Sequence, residues 1–484
     1  MANSLTLTLR RTLYWSHRWL GIFTCLLCAM WFLSGLVMVY VPYPSWRDEE
    51  RAATLPPLDA SKLNVTPGEA LATANLARVP TVFRLEMWGG EPVYRIVDFG
   101  RPTSVSAADG RVLAAVTADE AGKRLTRILG ETPVRYIGEV VQDQWTVARL
   151  FAPHRPLHLF ARDDGEGTQL YVSTATGEIV QSTTRSERFW NWLGSVPHWI
   201  YFTVIRSDAP LWRQIVMWTS GAAAIGAVLG IWIGVLRVRL RSRYASGRIT
   251  PYRGWMQWHH LSGLAGGVFV LTWLASGWLS VSPFGLFGGP DIGPDDLARY
   301  YGDGRPGFDA SVLVLRRMIG PSTKELQFSW LRGEPVVIGG GADGKRAFDA
   351  ATGRPAELSE ARLAAAAAAV LPSASVAFAA RLDQPDAYWY SHLAQRPLPA
   401  LRVGFDDPAA TWLMIDLLSG RIVGVSTRGD RVHRWLFNFA HQYDLPWLLE
   451  RPLTRMILIW ALSVLGIAIS LTGVVLAWRV VRPR

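Results

Sequence analysis

Four apolar stretches divide a chain whose remaining pattern alternates between short strands and amphipathic helices. Leu20 to Trp46 carries no formal charge, and Gln214 to Leu236 lies between Arg213 and Arg237. Residues 254–290 are uncharged with neutral histidines, and Met456 to Trp478 lies between Arg455 and Arg479. A membrane-crossing helix needs about 20 mostly apolar residues, so the pattern predicts four spans, at 19–43, 212–236, 256–283 and 455–478. The first run is too long for the apolar core of a signal peptide and lacks a small-residue cleavage site, so it is expected to be retained.

The long segments between the spans, 47–211 and 291–453, read as α+β. Thr66, Pro67, Gly68 and Glu69 form a helix-start pattern for a helix over 66–79. Val82 to Trp88 and Pro92 to Val97, separated by Gly89 and Gly90, predict a hairpin. Strand-turn-strand units follow at Ser106 to Val112 and Tyr171 to Ile179, and again at Met414 to Ile422. Their glycines supply turn geometry rather than a phosphate cradle.

One offset runs through the chain. Gly90-Glu91-Pro92-Val93 recurs as Gly333-Glu334-Pro335-Val336, 243 residues later. Gly177 and Gly420, Ile179 and Ile422, Arg188 and Arg431, Trp192 and Trp435, and His198 and His441 keep the same spacing. In the spans, Leu33-Ser34-Gly35 answers Ala275-Ser276-Gly277 at 242. The chain reads as a tandem duplication. Each copy holds two spans, so the copies share one orientation and are related by an axis along the membrane normal.

Charge orients the model. Arg10, Arg11 and Arg18 precede or open the first span; Arg239, Arg241, Arg243 and Arg248 fill the link at 237–253 without an acidic residue; Arg479, Arg482 and Arg484 end the chain. All lie on one side, which the positive-inside rule makes cytoplasmic, with 1–18 and 479–484 as cytoplasmic tails. The net charge of +11 is thereby a topology signal and a contact for anionic lipid, not a nucleic-acid patch. The 23 tryptophans suit two membrane interfaces. Cys25 and Cys28 have a CxxC spacing but sit in an apolar run, where packing is the better reading.

Asp349-Ala350-Ala351-Thr352-Gly353 and the turn from Asp416 to Gly420 resemble the D-x-x-T/S-G strand-turn of PepSY domains. His17-Arg18-Trp19-Leu20-Gly21 resembles the His-Arg-Trp-x-Gly opening of the PepSY-associated transmembrane family. His259-His260-Leu261-Ser262-Gly263 keeps the His and Gly of that opening without Arg-Trp, and Ser106 and Ser173 replace an Asp usual in the first copy's turns. The resemblance covers nearly the whole chain. It implies a membrane α-helical fold of four spans with two periplasmic α+β PepSY-like domains, at 47–211 and 291–453. It also implies a multi-pass protein of the bacterial inner membrane, similar to iron-regulated proteins of which some are haem-containing ferrisiderophore reductases.

The histidines acquire meaning from the repeat. His17 stands at the cytoplasmic mouth of the first span and His259, with His260 as the alternative, at the same mouth of the third. Gly21 and Gly263 follow one helical turn on, leaving room for a flat macrocycle. His198 and His441 match each other near the opposite face. Two neutral imidazoles from facing helices are what a six-coordinate haem b requires, so the expectation is two haems, with His17, His259, His198 and His441 as iron ligands. Arg18 and Arg253 are candidates for the propionates. An interfacial histidine can also simply bond a carbonyl; the pairing across the repeat tips the reading. His154, His158 and His392 have no partner across the repeat, and His433, two turns before His441, is a candidate supporting or substitute ligand.

Two haems near opposite faces form an electron path. The chain shows no GxGxxG that both follows a strand and opens a helix, so electrons are expected from a quinol or a separate cytoplasmic flavoprotein. The expected acceptor is a ferric siderophore or another iron chelate, whose anionic oxygen ligands hold ferrous iron weakly after reduction. No catalytic residue is needed for outer-sphere transfer. The competing readings are a non-enzymatic PepSY protein that binds a chelate or restrains a peptidase, and a transporter, for which the spans are poor in polar residues.

Overall fold

The computed structural model describes residues 2–482 except 99, 131, 288–291, 303–305, 342–343 and 393–395, with side chains described from residue 7. The expected start of the second soluble segment at 291 and the final arginine at 484 lie outside the described residues.

The first half runs through α1 (Ala2–Met38), α2 (Asp48–Thr54), α3 (Pro67–Ala74), β1 (Val82–Trp88), β2 (Glu91–Asp98) and β3 (Arg101–Ser106). It continues with α4 (Ala118–Leu129), β4 (Val134–Val140), β5 (Leu157–Arg162), β6 (Gln169–Ser173) and β7 (Ile179–Thr183). It ends with α5 (Arg185–Leu193), α6 (Ser195–His198), α7 (Thr203–Arg206) and α8 (Ala209–Arg237). The second half repeats the plan: α9 (Gly254–Leu279), α10 (Pro294–Tyr301), α11 (Val312–Met318), β8 (Thr323–Leu331), β9 (Glu334–Gly341) and β10 (Gly344–Asp349). Then come α12 (Glu360–Ala368), β11 (Val376–Leu382), β12 (Ala400–Phe405), β13 (Trp412–Asp416), β14 (Ile422–Ser426) and α13 (Arg428–His433). A π-helical turn at Arg434–Phe439 leads into α14 (Ala440–Gln442), α15 (Pro446–Leu449) and α16 (Pro452–Val481).

Two compact units result. The helical unit comprises 1–43, 187–288 and 429–484. Its four long helices carry apolar spans at Leu7–Met38, Ala209–Arg237, Gly254–Leu279 and Pro452–Val481. The shortest has 26 residues, about 39 Å at 1.5 Å per residue, enough to cross a hydrocarbon core about 30 Å thick. The first span begins earlier than its uncharged run, so Arg10, Arg11 and Arg18 lie on the helix rather than before it. The third ends at Leu279 rather than 283. α1 packs on α8 and α16, and α9 packs on the same two, so α1 and α9 face each other diagonally. The aromatic stretches at 187–211 and 429–453, read from sequence as ends of the soluble segments, belong to this unit, with α6 against α1 and α14 against α9.

The sheet unit comprises 44–186 and 289–428. Its local signals are met where the sequence placed them. Thr66 caps α3, accepting from Glu69 N at 3.2 Å while Glu69 Oε2 accepts from Thr66 N at 2.7 Å, with Pro67 at the first helical position. That helix is shorter than expected, because Asn75 terminates it in a left-handed conformation. The hairpin at 82–97 is β1 and β2. Asp349 caps its turn by accepting from Thr352 N at 2.8 Å, and Ser106 and Ser173 cap theirs in the same way.

The three-stranded meanders of both halves join edge to edge. The sheet order is β10-β9-β8-β1-β2-β3, with β1 and β8 antiparallel. Two four-stranded meanders, β4-β5-β6-β7 and β11-β12-β13-β14, complete the unit. Phe83, Leu85, Tyr94, Leu326, Phe328 and Val337 fill the core on one face of the six-stranded sheet. Side chains alternate along a strand, so Arg84 and Glu86 occupy the other face. There Arg51 bridges Glu86 and Glu325 at 3.1 and 2.7 Å, and Arg95, only 2% exposed, bonds Glu86, Ser104 and the Thr176 carbonyl. Arg84 pairs with Glu86 and Glu178. Burial alone would raise the Glu178 carboxyl, but the Arg84 and Arg95 guanidiniums hold it well below the usual range.

Candidate functional site

The helical unit brings four histidines together in two pairs. His17 of α1 and His259 of α9 have ring centres 6.4 Å apart, with planes inclined by 34°. His198 of α6 and His441 of α14 are 6.1 Å apart at 68°. In each pair the two residues come from matching positions of the two halves, and their supporting helices lie diagonally.

The ring nitrogens are divided in the same way at all four positions. His17 Nδ1 donates to Gly226 O at 3.0 Å, and His259 Nδ1 to Ile469 O at 3.2 Å and Thr472 Oγ1 at 3.0 Å. His198 Nδ1 donates to Trp31 O and Ser34 Oγ, both at 3.1 Å, and His441 Nδ1 to Ser276 Oγ at 3.0 Å. The hydroxyls are acceptors here, since each donates its own proton to a helix carbonyl: Ser34 to Met30, Ser276 to Trp273, Thr472 to Ala468. A carbonyl can only accept, so Nδ1 carries the proton and Nε2 keeps its lone pair. Among the described residues no hydrogen bond reaches Nε2 of any of the four. An acceptor held against one nitrogen and a bare lone pair on the other is how a metal-binding imidazole is prepared.

Glycine makes the close approach feasible. A Cβ added at Gly35 would meet His198 Cε1 at 3.2 Å, and one at Gly277 would meet His441 Cε1 at 3.4 Å. At Gly230 it would stand 2.6 Å from His17 Cε1, and at Gly473 3.6 Å from His259 Cε1. Gly21 and Gly263, singled out from the sequence, face open space instead.

Of the two adjacent candidates on the third span, His259 faces His17 and His260 does not. The His260 ring is buried, with Nδ1 bonded to Thr250 Oγ1 at 2.8 Å and Nε2 to Gly234 O at 3.0 Å, so no lone pair is left over. Arg18 follows His17 directly and Arg253 precedes α9; both are exposed, and no ion pair is recorded at either among the described residues. The His433 ring is tilted against that of Phe437, which is 5.3 Å from that of His441, so it stands one ring removed from the pair. His154 and His158 lie in the sheet unit, bonded to Ser173 Oγ and Val116 O. Cys25 and Cys28 are buried and unbridged, and no cluster of three or more His, Cys, Asp or Glu suited to a metal is found among the described residues.

Sequence reasoning missed Ser34 and Ser276 as histidine partners, and Gly230 and Gly473 as the surfaces under the rings. The offset would have found all four, since each pair of positions matches across the repeat.

An imidazole nitrogen bonds a first-row metal at about 2 Å and sits about 1 Å from its own ring centre, so two rings on opposite sides of one ion have centres about 6 Å apart. Each pair therefore has the spacing to ligate one metal from two sides. No curated protein matches the chain. The family model for the PepSY-associated TM region matches residues 14–302, a stretch that includes His17, His198 and His259. With more than half its length matched, carrying these histidines and three of the apolar helices, this four-span membrane protein belongs to the PepSY-associated TM region family.

Proposed function

We propose that the protein is a di-haem electron carrier of the bacterial inner membrane that reduces a ferric chelate, with a ferric siderophore as the favoured substrate. The single observation that carries the proposal is the preparation of four histidines in two facing pairs, each with Nδ1 tied down and Nε2 without a partner among the described residues. His17 and His259 would hold one haem b, His198 and His441 the other. The ring-centre separations of 6.4 and 6.1 Å suit bis-imidazole ligation. A bound haem supplies one-electron chemistry at its iron.

The chain's own residues do the rest. The carbonyls of Gly226, Ile469 and Trp31 and the hydroxyls of Ser34, Ser276 and Thr472 fix the tautomer and ring orientation. Gly230, Gly35, Gly277 and Gly473 let each ring lie against a helix. Arg18 and Arg253 offer guanidinium forks suited to a propionate. The apolar walls of the four spans keep water from the pair. With the arginine-rich ends cytoplasmic, the sheet-bearing segments are periplasmic and the chelate is met there. One added electron turns a hard ferric ion into a ferrous ion that hard oxygen ligands hold weakly.

The test is a pyridine haemochrome assay on the purified full chain. The expected result is two haems b per chain and a dithionite-reduced b-type spectrum, falling to one haem in His198→Ala or His441→Ala with loss of ferric-chelate reduction. A chain without haem, or one whose spectrum ignores these substitutions, sinks the proposal and leaves a non-enzymatic binding protein.

A further inference from the structure

The two halves treat their first-pair histidines differently. His17 Nδ1 bonds the carbonyl of Gly226, and His259 Nδ1 bonds the matching carbonyl of Ile469. Among the described residues, of these two only His259 has a further partner, Thr472 Oγ1 at 3.0 Å. Thr472 in turn lines a groove of about 430 Å³ between α9 and α16, whose other walls are Gly254, Trp255, Trp258, Ser262 and Ala468. Ligand pockets commonly run from about 300 Å³ upward.

The groove exists because the second half is less bulky there. Aligned on His17 with His259 and Gly230 with Gly473, Ser262, Ala468 and Thr472 stand where the first half has Leu20, Ile225 and Leu229. Three branched aliphatic side chains are thus replaced by a methyl and two hydroxyls, inside a membrane span. Trp255 and Trp258 at the rim are 44% and 65% exposed, and the span is apolar, so an occupant reaches the groove through lipid. An acyl chain has no use for the hydroxyls. A flat ring with a hydroxyl has: Thr472 Oγ1 donates to Ala468 O and accepts from His259, which leaves it one lone pair to accept a further O–H.

We infer that this groove is the docking site of a lipid-borne hydroquinone, whose O–H bonds Thr472 and whose electrons pass by way of His259. The inference rests on the electron-transfer reading above and names its donor. Oxidation of one hydroquinone to quinone gives up two electrons and two protons. The electrons would leave singly by way of His259 toward the metal centre it would hold, so that each hydroquinone would serve two one-electron acceptors in turn. The protons go to water at the exposed Gly254 end. Tyrosine-like hydrogen bonding to a hydroxyl orients the ring, and the tryptophans flank it.

The experiment uses the full chain in lipid nanodiscs and an azido-substituted decylbenzoquinone as photolabel, with decylubiquinone as competitor. Labelling of the peptides around 254–262 and 468–472 should be competed in the wild type and lost in the Ser262→Leu/Ala468→Ile variant, which restores the bulk of the first half. In haem-loaded protein the same variant should be reduced by decylubiquinol at least tenfold more slowly, while its spectrum and its reduction by dithionite stay unchanged. Labelling that is not competed, or that survives in the variant, means that lipid chains fill the groove and overturns the inference. Equal rates with decylubiquinol overturn it too. Competed labelling on a chain without haem would retain the quinone site and remove the electron-transfer reading, so the two failures are distinguishable.

Discussion

Arg84 and Gln327 lie directly opposite each other across the β1–β8 seam, and they are 243 residues apart in sequence. Each is therefore paired with its own counterpart in the other half, and the local two-fold axis of the sheet unit passes between them. The helical unit has the same property at its histidine pairs. The symmetry is imperfect where charge is concerned: an arginine meets a glutamine, and Arg51 reaches across to bind one carboxylate from each half.

That bridge is a stability prediction. Arg51 binds Glu86 and Glu325, whose side chains are 2% and 5% exposed. Arg51→Met would leave two buried carboxylates short of a partner, a loss of about 3–5 kcal/mol for a broken buried pair. Denaturant unfolding of the full chain, followed through the sheet signal, checks it; a loss under about 0.5 kcal/mol would show that water already serves these carboxylates.

Glu178 gives the pH dependence. Its folded carboxyl is held below its ordinary value of 4.5, burial notwithstanding, chiefly by Arg84. A depressed folded value contributes stability that is present above the unfolded value and lost as the pH falls through the window below it. Denaturation midpoints should therefore fall between about pH 5 and pH 2 in the wild type and fall less steeply in Glu178→Gln. Parallel slopes would assign the acid sensitivity to other carboxylates.

Gly230→Ala places a methyl carbon 2.6 Å from His17 Cε1, closer than side chains pack, whereas Gly473→Ala leaves 3.6 Å at His259. Alanine is otherwise the better helix former by about 1 kcal/mol, so a loss cannot come from the helix itself. Under the proposed function, Gly230→Ala should bind one haem rather than two, and Gly473→Ala should bind both. Full haem content in Gly230→Ala would mean that His17 has room to swing aside.

Ser276→Ala and Ser34→Ala remove a hydroxyl acceptor from the Nδ1 of His441 and His198. Loss of such a partner weakens metal binding by about 10–100-fold. Under the proposed function, competition of the haem with excess apomyoglobin measures it, and unchanged retention would demote the serines to packing residues.

Much of this was legible in the sequence because it is written in one-dimensional signals. Apolar runs give the spans, capping at Thr66 gives the start of α3, and the constant offset gives the histidine pairs. What was not legible depends on distance along the chain or on angle. The seam between β1 and β8 joins strands far apart, and nothing local at Arg84 announces its partner. The choice between His259 and His260 turns on about 100° of helix rotation, and only the packing of α9 on α16 fixes that. The groove at Thr472 needed two helices read together, each against its counterpart.

The diagonal placement of α1 and α9 also bears on how such a molecule can be assembled. Neither half possesses both jaws of either clasp: His17 and His198 come from one, His259 and His441 from the other. Severed in the link at 237–253, the two fragments would, under the proposed function, each be blind to metal until they met, and cofactor uptake would report their reunion.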